Sequence, residues 1–140
     1  MNVSGRQQTY RKVSLLLLII TASSALVAGA LFIIDPSGHK MGMSLTYLRF
    51  TPFISFLIPG IVLFTVNGLM NLIVAYLVIQ QNKRSPQLII IQGVILVGWI
   101  VVQVVMVRDF NFLHGSMLLI GSVLVVFGLK LRKSDKGEFN

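Results

Sequence analysis

The sequence predicts an all-α membrane protein: one domain over residues 1–140 whose four transmembrane helices form an antiparallel, up-down bundle. Three observations predict it. First, 55% of the residues are hydrophobic and 11% are charged, a balance too apolar for an ordinary soluble domain of this size. Second, the charges cluster and leave charge-free runs over 13–34, 50–82, 85–107 and 110–129. A membrane-spanning helix needs about 20 mostly apolar residues. Third, nine Lys and Arg fall in the N-terminal segment, the second connection and the C-terminal tail, against three in the first and third connections. Basic residues favour the cytoplasmic side, so both termini are expected in the cytoplasm.

The first span is expected over 13–34, behind a polar, frayed or interfacial segment, 1–12. Its basic flank (Arg6, Arg11, Lys12) and the small triplet Ala28-Gly29-Ala30 also suit a secretory signal. The apolar stretch exceeds the roughly 7–15 residues of a signal core, however, so a retained span is expected. Asp35-Pro36-Ser37-Gly38 ends it, because Pro36 biases Asp35 away from helical geometry and Gly38 permits a turn. Residues 39–51 form a mixed segment with Tyr47 and Arg49 suited to headgroups and room for a short interfacial helix.

The second span is expected over 52–79. Pro59 donates no backbone hydrogen bond and crowds the carbonyl a turn earlier, so a kink is expected near Ser55. A short turn, QQNKRSPQ, leads to the third span over 87–107. A tight RDFN turn leads to the fourth, over 112–131. Short connections make sequential helices antiparallel neighbours.

Each span carries one seam of small or polar residues. These are Ser14, Thr21 and Ala28; then Gly60, Asn67 and Asn71; then Gln92, Trp99 and Gln103; then His114, Gly121 and Gly128. A seven-residue step drifts only about 20° on a straight helix. Small residues let membrane helices approach closely, and amides hydrogen-bond across the contact. The seams are therefore expected on the inner faces, with Asn67 or Asn71 paired to Gln92 or Gln103.

Several function classes lose ground on composition. There is no cysteine, which excludes disulfides, thiolate catalysis and four-helix thiol redox enzymes of the vitamin-K-reductase kind. No acidic or basic residue lies well inside a span, whereas coupled transport and proton conduction usually need one. Small multidrug transporters depend on a glutamate in their first helix, where this chain has Thr21 and Ser24. Haem cytochromes need axial histidine pairs within the spans, and the only histidines, His39 and His114, lie at the outer end. The net charge of +8 reflects topology and attraction to anionic headgroups. Nucleic acid is not an expected partner, and no cofactor or metal is expected.

Two stretches carry letters of a known chemistry. Pro36-Ser37-Gly38-His39 resembles the middle motif of the type 2 phosphatidic-acid phosphatases, and Arg108 with His114 five residues beyond resembles part of their last motif. The resemblance implies His114 as nucleophile, His39 as general acid and Arg108 as phosphate clamp. The departures are that no Lys or Arg precedes the motif within 13–38, Val107 replaces a serine, and Leu118 replaces the carboxylate that orients the histidine. Asp35 or Asp109 would have to substitute.

A second resemblance covers Asp35 to Asn71. DPSGHKMGM, then TPF, then LIPGIVLFTVNGLMN is similar to a group of small four-span bacterial membrane proteins without assigned function. It implies a bacterial cytoplasmic membrane, and Asp35 to Gly38 as a turn in which Asp35 accepts backbone hydrogen bonds.

The expected function is a non-catalytic membrane protein that binds lipid, a second copy of itself or another membrane protein. The alternatives are a hydrolase site at the outer face, drawn from Asp35, His39, Arg49, Arg108, Asp109 and His114, and a small-molecule transporter. For the leading reading, Asp35 or Asp109 is expected to pair with Arg49 or Arg108.

Overall fold

The computed structural model describes residues 3–137; residues 1–2 and 138–140, the tips of the two polar segments, lie outside the described residues. Four helices, each long and apolar enough to cross a membrane, make up the fold. They are α1 (Val3–Ile34), α2 (Leu57–Ile79), α3 (Ser85–Val107) and α4 (Phe112–Gly137). Each packs on its sequence neighbour, and α1 packs on α4 to close the ring. That is the up-down bundle expected from short connections. The core holds Leu18, Val74, Ala75, Val78, Ile89, Leu124 and Leu131. Large apolar residues such as Val27, Tyr76, Val105 and Leu119 stay exposed, as a lipid-facing surface requires.

Close backbone contact sets both hairpins. A Cβ on Gly29 would stand 2.7 Å from Phe64 N and 2.9 Å from Gly60 O, and one on Gly93 would stand 2.7 Å from Gly121 O. Only hydrogen fits at these crossings, which is the small-residue packing expected of the seams.

The helix bounds differ from expectation mainly at the start of α1, the end of α4 and the start of α2. Segment 3–12 is helical, because Tyr10 packs its ring 4.8 Å from that of Phe127 and α1 continues alongside an equally extended α4. The second helix starts at Leu57, five residues later than expected. The Thr51 hydroxyl donates to Leu48 O at 2.9 Å and accepts the Phe53 N–H at 3.2 Å, holding that stretch in turns. The Phe56 N–H donates to Pro36 O at 2.9 Å and ties the segment to the end of α1.

The kink expected before Pro59 is consequently absent. Pro59 sits in the first turn of α2, where its missing N–H would have no intrahelical partner anyway. The irregularity lies farther along, where Leu63–Leu69 winds as a π-helix and the Met70 N–H reaches back to Thr65 O. The Thr65 hydroxyl donates to Ile61 O at 2.8 Å. A hydroxyl that competes for a helix carbonyl favours slippage of the ladder at that point.

Residues 39–51, expected to have room for a short interfacial helix, hold two 3₁₀ turns, His39–Met41 and Leu45–Leu48. Gly38, at φ 83°, opens the first turn, and a Cβ there would strike the Phe56 ring at 2.8 Å. Phe32 and Phe56 stack beneath, centroids 4.9 Å apart.

Candidate functional site

The motif letters sit at the end of the bundle opposite the termini, and their side chains are occupied with the backbone. Asp35 Oδ1 accepts the Ser37 hydroxyl at 2.5 Å and the Ser37 N–H at 3.2 Å, while Oδ2 accepts the Lys40 N–H at 2.9 Å. The Ser37 hydroxyl and then the Lys40 N–H hold the Asp35 carboxyl below the usual carboxylate range. His39 Nδ1 lies 3.2 Å from Ser37 Oγ. This is a carboxylate-capped turn.

The second motif is also a cap. Asn111 Oδ1 accepts the N–H groups of Leu113 and His114 at 3.0 and 3.3 Å, and His114 Nδ1 accepts the Asn111 N–H at 3.3 Å. That is a reciprocal N-terminal cap, with histidine where glutamate or glutamine usually stands. Arg108 ends α3 in the left-handed conformation, φ 59°, and its guanidinium rests 4.0 Å from the centre of the Phe50 ring. Arg49 lies 5.7 Å from the same ring.

The expected ion pair is not formed. Among the described residues neither Asp35 nor Asp109 pairs with Arg49 or Arg108, because Asp35 is saturated by the turn and the arginines gather on Phe50. Nor does a hydrogen bond join His39 to His114 among the described residues.

Inside the bundle, Ser14, Thr21, Asn67, Asn71 and Gln92 are buried, as the seams suggested. The cross-helix amide bond is not formed. Asn71 Nδ2 instead donates to Asn67 O at 2.7 Å, within its own helix, where the π-helical segment rejoins regular winding. Asn67 Oδ1 and Nδ2, Asn71 Oδ1 and Gln92 Oε1 have no partner among the described residues. Gln103 does not join them. It lies half-buried on α3, beside a separate apolar cavity.

A cluster of cations lies at the other end of the molecule. The extensions of α1 and α4 flank an open cavity of about 480 Å³ lined by Arg6, Gln7, Tyr10, Lys130, Lys133, Ser134 and Gly137. Three cations line it, and no carboxylate does among the described residues. Lys130 Nζ lies 5.8 Å from the centre of the Tyr10 ring. Gln7 Nε2 and, one turn away, Arg11 Nη1 are shielded and without a partner among the described residues.

Helix lengths place this cavity in depth. A hydrocarbon core takes about 20 helical residues. Counted back from Ile34, that reaches Leu15 on α1, so Arg11 and Lys12 lie just beyond the boundary. Counted forward from Phe112, it reaches Leu131 on α4. By this count Tyr10 lies beyond the boundary on α1 and Lys130 just within it on α4, so their contact straddles it, with Arg6 and Lys133 farther out.

The sequence showed these cations only as a topology signal. The signal for a site was the i, i+4 spacing of Arg6 and Tyr10 together with the i, i+3 spacing of Lys130 and Lys133, each pair on one helix face. Comparison of the chain with family models, curated proteins and solved structures finds no match.

Proposed function

We propose that this chain is a non-catalytic, multi-pass protein of the cytoplasmic membrane, with both termini in the cytoplasm, that binds an anionic lipid headgroup in the cavity between α1 and α4. The observation that carries the reading is the convergence of Arg6, Lys130 and Lys133 on one cavity that no acidic side chain lines among the described residues. A phosphodiester there replaces water around three ammonium or guanidinium groups with charge-assisted hydrogen bonds. Ser134, the Tyr10 hydroxyl and the Gln7 amide supply neutral contacts for a glycerol headgroup. A cavity of 480 Å³ falls within the range of small-molecule sites. The nine-to-three distribution of Lys and Arg supports the orientation, which brings the cavity to the leaflet that is rich in anionic lipid.

The test is the thermal midpoint of the purified protein in neutral detergent, with phosphatidylglycerol, phosphatidylcholine or inorganic phosphate added. Phosphatidylglycerol raises the midpoint by on the order of 5 °C at saturation. The gain is lost in Lys130→Gln/Lys133→Gln. An equal gain with inorganic phosphate would reassign the ligand to a free anion, and an equal gain with phosphatidylcholine would remove the headgroup reading.

A further inference from the structure

The second cavity lies at the opposite end of the bundle and has a different chemistry. It measures about 140 Å³ and is walled by Phe53, Phe56 and Leu63 on one side and by Trp99, Gln103 and Met106 on the other. It sits between α2 and α3, whose contact is confined mostly to Met70–Ile79 and thins toward this end. No charged residue lines it. Trp99 and Gln103 stand one turn apart on α3, and neither side chain has a hydrogen-bond partner among the described residues. Within a bilayer an indole N–H and an amide without a protein partner are costly unless a guest beside them supplies one.

We propose that this cavity receives the carbonyl or ester end of a neutral amphiphile from the bilayer, whose apolar tail stays largely in the surrounding lipid. The absence of charged lining residues disfavours an ionised guest. The indole only donates and the amide donates as well as accepts, so the guest is an acceptor. The sparse contact between the outer halves of α2 and α3 gives lateral entry from the lipid. The cavity is independent of the basic one, which lies between α1 and α4 at the far end of the bundle.

Trp99 is the single tryptophan of the chain, so its fluorescence reports on this wall alone. The full-length protein in detergent is titrated with a dibrominated C18 fatty-acid methyl ester and, separately, with the dibrominated C18 alkane. The ester quenches Trp99 saturably, with half-saturation at a mole fraction about fivefold lower than the alkane, the factor one neutral hydrogen bond supplies. In Gln103→Leu the ester loses most of that advantage, and in Leu63→Phe, which fills the cavity, saturation disappears. Equal, non-saturating quenching by ester and alkane in the wild-type protein overturns the proposal without recourse to any variant. An ester preference unchanged in both variants overturns it as well, because the bound ester would then lie elsewhere.

Discussion

Asn111 and His114 cap the same helix reciprocally: the Asn111 carbonyl side chain accepts the His114 N–H, and the His114 imidazole accepts the Asn111 N–H, both at 3.3 Å. The histidine that resembles a phosphatase nucleophile thus has its Nδ1 committed to the backbone.

Asn111→Ala is expected to destabilise the protein by about 1 kcal/mol, the usual cost of losing an N-terminal cap. His114→Ala costs less, and His114→Gln restores the cap, since glutamine serves the same position in a capping box. Thermal midpoints of the three variants in one detergent check this. A His114→Gln variant as unstable as His114→Ala would refute the capping role.

The two buried asparagines separate into one that bonds and one that does not. Asn71→Leu removes the bond from Asn71 Nδ2 to Asn67 O and is expected to cost about 1 kcal/mol. Asn67→Leu removes an amide with neither atom partnered and is expected to be neutral or stabilising, as apolar replacement of an unpaired buried group tends to be. Equal losses in the two variants would show that the Asn67 amide has a partner.

Gly93→Ala drives a methyl group to 2.7 Å from Gly121 O, backbone that cannot rotate away. The expected cost is about 1–3 kcal/mol, the range for overpacking a core. Gly98→Ala meets nothing within 4 Å and serves as control, with unchanged or slightly raised stability from the better helix former. Thermal midpoints of the pair read the difference, and equal midpoints would contradict the close crossing of α3 and α4.

Asp35 gives the fold an acid-sensitive turn. Its carboxyl titrates below the unfolded value because the Ser37 hydroxyl and Lys40 N–H bond the charged form. Its contribution is complete above the unfolded pKa, about 4, and is lost as pH falls through the lower folded value. The stability difference between the wild-type protein and Asp35→Asn should therefore be flat from pH 5 to 8 and shrink in more acidic buffer. A difference that grows on acidification has the wrong sign for this turn.

What the sequence disclosed followed from local physics. Charge-free runs located the four spans, and Gly60, Asn67, Gln92 and Gly121 lay inward as their spacing implied. What it concealed needed contacts distant in sequence. Pro59 suggested a kink only while the helix was taken to start at Pro52. The Phe56–Pro36 backbone bond moved the start and made the proline harmless. The π-helical stretch has no signature in hydropathy, and Thr65 is its sole local cue. DPSGHK and RDFNFLHG read as chemistry because caps and catalytic motifs draw on the same Asp, Ser, Asn and His. The basic cavity was legible only as two separate helix faces, Arg6 with Tyr10 and Lys130 with Lys133, which come to line one space after the whole chain has folded back.

The most direct test of the central claim is which lipid the protein keeps. Wild-type protein and Arg6→Gln/Lys133→Gln are extracted with neutral detergent from vesicles of equal phosphatidylglycerol and phosphatidylcholine, and the retained lipids are weighed by native mass spectrometry. The account predicts phosphatidylglycerol on the wild-type protein in several-fold excess over phosphatidylcholine, with the excess gone in the variant. Equal retention of the two lipids by the wild-type protein, or an excess that survives the loss of both cations, would contradict it.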